Sequence, residues 1–401
     1  QIVDREAAGR IEIEPDQNAF TFYERAFDLI PETLDDQALG KAVDELDSGE
    51  AEWGTVSQIA KSSLEQCEEL LAEWRRGTKL ERGVHVQPED LQIWVTVPVQ
   101  KFRAIQRLAL LKSAQCLHEG NPREAWQWLR AVFRFSRHLG NPGTSISRTV
   151  GAAYHSVARE QFVIWASHKS VTAEHLQRAL IELRQLNELT PDVSVSLKSD
   201  YLAAMNLLSS SETVREYFYI ERLLWDDSAG HIPQSLVGSH LFLTAEPQLG
   251  QQVLRHVLAN HLSQCDLPRS ERRIAKTRVQ LFRPTGKEKP PLMDTALLND
   301  AVMRSMMAGS LCTSPFQLLR TVDHERSRQA AYELCLTVEL FRRQNGDYPG
   351  TLDALVPDFL DNIPRDPHGS KTSERMLMTR REAEVPEEPL NGDSPPSVPS
   401  L

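Results

Sequence analysis

The stretch that most constrains this chain runs from Arg328 to Gly369, near its C-terminal end. Ala331, Leu334, Cys335, Val338 and Phe341 recur at the three-and-four spacing of a single buried helical face. Asn345-Gly346 supplies a left-handed C-cap, and Tyr348-Pro349 forces an extended exit, because a residue before proline is pushed out of the helical region. Thr351 is placed to cap the short apolar run Leu352, Leu355 and Val356, which Pro357 closes. Ile363-Pro364 and Asp366-Pro367-His368-Gly369 end the stretch with turn chemistry. The motif residues Asn345, Gly346, Tyr348, Pro349, Asp366, Pro367 and Gly369 each fix a backbone angle or a packing contact. They read as structural, the close of the folded region.

The same helical period runs through most of what precedes. Residues 1–14 are a polar, extended lead-in. Pro15 to Asn18 opens a helix with Phe20, Tyr23, Ala26, Phe27 and Ile30 on one side, and Pro31 ends it. Asp35 to Glu52 reads as a polar connection into a long helix from Thr55 to Arg76, with Ile59, Leu64, Cys67, Leu70, Leu71 and Trp74 on its core face. Gly83 to Pro98 is β-branched and broken by Pro88 and Pro98; it could be a short strand or a loop laid over the bundle, and the loop is the favoured reading. Two strong helices follow, Val99 to His118 and Pro122 to Leu139, joined by Glu119-Gly120-Asn121. Their turn resembles one tetratricopeptide unit, but no second copy stands near Tyr154, so an ordinary αα-hairpin is the reading.

Gly140 to Gly143 is a break, and further helices run from Ser145 to Ser167, from Thr172 to Leu189 and from Val195 to Leu224. Residues 226–250 are irregular. A helix from Gln248 to Ser263 comes next, then a basic segment from Arg269 to Lys289. A Met-rich helix from Leu292 to Leu319, broken by Pro315, leads into the opening stretch. Thr372 to Leu401 is rich in Glu, Pro and Ser without period and reads as a disordered tail. The expected organisation is therefore a lead-in (1–14), an N-terminal helical region (15–225), an irregular loop with helices (226–319), the helix and its cap (320–369) and the tail (370–401). The expected fold is all-α, antiparallel helix pairs forming a bundle or short irregular solenoid.

Composition narrows the function classes. At 401 residues and 40% hydrophobic content the chain can bury one large or two ordinary domains. A formal net charge of −11 argues against a dedicated nucleic-acid binder, which needs a basic surface. No run of 18 apolar residues occurs in the sequence. The five cysteines (Cys67, Cys116, Cys265, Cys312, Cys335) are widely spaced, form no CxxC, and read as buried free thiols. Gln1 stands where a start would carry Met, which fits a chain that follows a removed signal or anchor.

Candidate chemistry is sparse. None of the 12 histidines stands in HExxH; His118-Glu119 and His324-Glu325 lack the second histidine, and His256 and His261 fall on different helix faces. No metal or cofactor is expected. Asp226, Asp227 and His231 share an irregular loop after Tyr217, Phe218, Tyr219 and Trp225, where a carboxylate–imidazole pair could serve as acid and base. Asx-turn capping explains the same residues more simply. Arg269, Arg272, Arg273, Lys276 and Arg278 could meet an anionic membrane surface, although such a run is more often a solvated helix face.

The segment Glu339 to Pro349, with Leu352 to Pro357 and Ile363 to Gly369, resembles the conserved patch of the major pseudopilins of type II secretion. In that family a helix ends at a similar Asn/Asp-Gly-x-Tyr-Pro, and a Leu-Pro-x-Asp-Pro-Trp-Gly turn follows. The match covers about a tenth of the chain. Here some 330 residues precede it, His368 replaces the Trp, and no strands follow, so pilus assembly and the calcium site are not implied. Asn18, Ala19, Tyr23 and Ala26, the helix and hinge from Leu108 to Asn121, and the Tyr-Pro patch together resemble uncharacterised bacterial proteins that often carry a single N-terminal membrane anchor.

That resemblance implies export and anchoring by a segment upstream of Gln1, on the periplasmic side of the cell envelope. The expected function is a non-enzymatic, envelope-associated scaffold with a protein partner. The alternatives are a hydrolase-like enzyme with a pocket near Asp226, Asp227 and His231, or an anionic-surface binder acting through Arg269 to Lys289.

Overall fold

The computed structural model describes residues 11–87, 99–141, 143–209, 246–267, 269–272 and 313–364, and the fold is all-α. The expected tail, the Met-rich run up to residue 312 and most of the irregular loop lie outside the described residues. Helix α1 (Ala19–Asp28) buries Phe20, Tyr23, Ala26 and Phe27, the face its spacing predicts. Asn18 caps it by accepting from the Phe20 amide. The same Asn18 side chain holds Val84 at both its amide and carbonyl, 2.9 Å each. Ile11 and Gln87 are joined in the same way, so residues 82–87 are laid across the start of α1.

The expected polar connection after α1 is instead a helix, α2 (Asp36–Ser48), with Asp35 as its N-cap and Gly49 in the left-handed conformation at its end. Its buried residues Leu39, Ala42, Val43 and Leu46 hold the helical period, and the charged residues between them cover the outer face. The long helix expected from Thr55 is two, α3 (Gln58–Gln66) and α4 (Glu68–Thr78), which break at Cys67. Ile59 is 58% exposed on α3 rather than in the core, because the break re-aims that first helix.

The hairpin α5 (Val99–His118) and α6 (Pro122–Leu139) forms as predicted. Gly120 turns the chain at a φ of 78°, and Asn121 caps α6 by accepting from Glu124. The next expected helix is again two, α7 (Ser145–Val157) and α8 (Arg159–Ser167), hinged at Ala158. α7 crosses α6 backbone to backbone: a Cβ at Gly151 would sit 2.6 Å from the Ser136 carbonyl oxygen. Then follow α9 (Ala173–Glu188), capped by Thr172, α10 (Val193–Leu207) and α11 (Glu246–Leu262).

Helix α12 (Thr313–Asn345) is the spine. At 33 residues it is about 50 Å long at 1.5 Å per residue. Pro315 stands in its first described turn, and the run before Thr313, on which the expected break at Pro315 depends, lies outside the described residues. Three apolar clusters are strung along it. Leu318, Leu319 and Val322 pack with Val193, Leu197, Leu258 and Cys265 of the α10–α11 end. Tyr332, Leu336 and Leu340 enter the main core, which runs continuously from α1 to α9, as in a bundle. Leu334, with Val338 and Phe341, faces the other way, under Leu352, Leu355, Leu360 and Ile363 of the C-terminal cap. The single buried face expected from the sequence is therefore two faces, and Ala331 is exposed. Two seams on one helix follow from its being covered on both sides.

The cap itself is a short 3-10 helix, Leu352–Leu355. Gly346 supplies the predicted left-handed stop at a φ of 84° and bonds back to the Arg342 carbonyl. Thr351 precedes the 3-10 helix without capping it through its side chain, which differs from the expectation. Tyr348 is half exposed, with its hydroxyl donating to Glu339, and Pro349 is buried. Asp366, Pro367 and Gly369 lie outside the described residues.

Candidate functional site

The charged groups of α12 sit between its apolar clusters. Glu325 is buried and takes Arg137 of α6 on one oxygen and Arg148 of α7 on the other. Two residues earlier Asp323 accepts both terminal nitrogens of Arg272, at 2.7 and 2.8 Å. Bidentate and shared guanidinium–carboxylate pairs of this kind fix orientation as well as charge. Burial alone would raise the Glu325 carboxyl, but Arg148 and Arg137 outweigh it and hold it at about 2. Two guanidiniums on one carboxylate leave the knot with one positive charge in excess.

Beside the knot, His155 is fully buried between the rings of Phe133 and Tyr332, at 5.1 and 5.2 Å. Burial, reinforced by Arg137, keeps its imidazole neutral, well below the ordinary range. His138 follows Arg137 at the end of α6, and burial, then Arg134, pushes it down to about 3. Its Nδ1 meets the Tyr23 hydroxyl at 2.6 Å. Tyr23 is held protonated by burial. A neutral phenol donating to Nδ1 leaves the ring proton of His138 on Nε2, a donor.

Arg137 and His138 line one wall of a half-open cleft of about 310 Å3 at the C-terminal end of α6. Arg134 and Asn141 continue that wall, and the strand-like segment with Glu81, Arg82, Gly83 and Val84 forms the opposite one. Ile11 and Leu189 add apolar surface. Gly83 permits the close approach: a Cβ there would stand 2.9 Å from the Cβ of His138. Arg134 donates Nε and one terminal nitrogen to the Leu80 carbonyl, a neutral acceptor, and so keeps its charge. The His138 ring passes beside the backbone of Leu80 and Glu81. Those backbone carbonyls offer hydrogen bonds to the His138 ring and raise it a little against burial, whereas the Arg137 Nε is buried without a hydrogen-bond partner. The α6 wall is thus cationic, with one buried donor left unpaired.

None of this was read from the sequence. Arg137 and His138 belong to a continuous buried run, Phe135 to Leu139, that closes α6. A polar pair inside a helix end that is buried all round was the available signal. The catalytic candidates Asp226, Asp227 and His231 lie outside the described residues, as do Arg273, Lys276 and Arg278. Arg272, counted with the basic surface run, is buried on Asp323. Cys67, Cys116 and Cys265 are buried free thiols, and Cys335 is partly buried. Burial pushes Cys116 and Cys265 to about 11 and Cys335 to about 12. Among the described residues no group of three His, Cys, Asp or Glu side chains could hold a metal ion, and no helix is long and apolar enough to cross a membrane. Comparison with family models, curated proteins and solved structures returns no match.

Proposed function

We propose that the chain is a non-enzymatic, envelope-associated scaffold that works by holding a protein partner. The observation that carries this reading is the Arg137–Glu325–Arg148 knot, which ties α6 and α7 to the spine α12 in the dry centre of the bundle. The most charged groups of the described core serve to join helices. Their protonation states agree: a carboxylate near 2 and an imidazole near 3 do not exchange protons at neutral pH. Thiols near 11 and 12 are not nucleophiles there either. A rigid helical body with exposed apolar side chains such as Ile59 and Ile181 suits recognition of a partner surface. The envelope setting rests on the resemblance of the Tyr-Pro patch and the Asn18 to Ala26 helix.

Photo-crosslinking in the native cells tests it. A crosslinking residue at Ile181 or Ile59 should give discrete protein adducts in the envelope fraction, and one at Lys79 should not. A chain that fractionates away from the envelope and gives no adduct from either position ends the proposal.

A further inference from the structure

We propose that the cleft at the end of α6 is a binding site for a small organic anion, one carboxylate or phosphoryl group carried on a compact apolar body. Charge is the first argument. Among the described residues of the cleft walls and the knot behind them, the guanidiniums of Arg82, Arg134, Arg137 and Arg148 stand against the carboxylates of Glu81 and Glu325. An oxyanion supplies the missing charge, and planar guanidinium groups match its oxygens in pairs.

Hydrogen bonding is the second. Arg137 lines the cleft, and its Nε is a buried donor without an acceptor. Leaving such a donor unpaired is costly, so an acceptor brought by a ligand is favoured. A metal ion or a cationic ligand would offer this donor nothing.

Preorganisation is the third. Glu325 holds Arg137 and Tyr23 holds His138, so this wall of the cleft is set before a ligand arrives. The volume of about 310 Å3 is at the small end of ligand pockets and excludes a nucleotide-sized or polymeric occupant. Ile11, Val84 and Leu189 leave room for an apolar body beside the anionic head. The site is defined by this geometry alone and stands whether or not the scaffold reading holds.

The experiment is calorimetric titration of the full chain at pH 7 and low salt, with inorganic phosphate and with hexanoate as separate probes. One saturable site for either probe is expected. Hexanoate binding the tighter assigns a carboxylate on an apolar body, and phosphate the tighter assigns a phosphoryl head. Arg82→Glu, on the exposed rim, should weaken that binding at least tenfold while leaving the helical circular-dichroism spectrum unchanged. Arg134→Met should do the same. Arg326→Met, exposed on α12 and away from the cleft, should bind as the parent does. The proposal is overturned if the parent chain binds neither probe. It is equally overturned if Arg326→Met weakens binding as much as Arg82→Glu, which would mark diffuse surface attraction.

Discussion

Arg148 and Glu325 stand 177 residues apart in the chain, and their charges meet where neither side chain reaches solvent. Arg137 shares the same carboxylate from 188 residues away. Removing that carboxylate strands two guanidiniums in the core. Glu325→Gln should therefore lower stability by about 3–5 kcal/mol, since breaking a buried ion pair leaves its partner's charge uncompensated. Urea unfolding with an unchanged m-value and a lowered midpoint is the expected result. A midpoint equal to that of the parent would mean the knot carries no net stabilisation.

Acid should act in two stages. The imidazoles of His138 and His261, at about 3 and about 4, are depressed by burial below an unfolded value near 6.5. In that window the unfolded chain binds more protons, so their share of stability is present above pH 6.5 and is lost as pH falls toward the folded values. Asp47 and Asp200, raised by burial to about 6 from 3.8, work the other way between those limits. Below about 4.5 the Glu325 contribution begins to fall away as well, down to its folded value of about 2. His155, also held neutral by burial, makes three imidazoles against two carboxyls, so unfolding midpoints measured from pH 7.5 to 3 should fall first gently and then steeply. His261→Phe should flatten the first stage by up to one proton, and a variant with the parent's slope there would refute the assignment.

The two seams of α12 make opposite forecasts for near neighbours. Leu336→Ala, in the main core, should cost about 2–5 kcal/mol, the range for a large-to-small change in a packed interior. Ala331→Ser, five residues earlier and exposed, should stay within about 0.5 kcal/mol of the parent. Had the single face read from the sequence been right, Ala331 would be the sensitive position and Leu336, which lies off that face, would not.

Helix positions along α5, α6 and α9 were legible because capping residues and apolar period agreed there: Asn121 and Thr172 stand where the chain turns into helix. α2 was missed because its charged outer face masked the Leu39, Ala42, Val43 and Leu46 stripe. The breaks at Cys67 and Ala158 carry no glycine or proline, and only tertiary packing places them. The second seam of α12 was hidden for a related reason: a helix buried on two sides has no polar face to frame the pattern. The cleft and the knot were out of reach, since pairing of Arg137 with Glu325 depends on the fold and has no local sign.

The thiols offer a direct check on burial. Cys67, Cys116 and Cys265 are enclosed, and their raised thiol values withhold the thiolate that alkylating reagents need. At pH 8 in native buffer these three should react with iodoacetamide at least tenfold more slowly than in urea, as read by mass spectrometry of peptides. Fast native labelling at Cys116 would show that the α5–α6 hairpin opens readily.

The knot also sets an order of events during synthesis. Arg137 and Arg148 leave the ribosome long before Glu325 exists, 188 and 177 residues ahead of it. At roughly 5–20 residues per second that is a wait of about 10–40 s. Through it, α6 and α7 have no carboxylate from α12 to close on, and the main core lacks Tyr332, Leu336 and Leu340. The nascent bundle thus stays unfinished, its aromatic interior uncovered, until nearly the last helix is made. Such a chain depends on a chaperone or on a slow, late collapse, and a truncation anywhere before α12 removes the piece that completes all the rest.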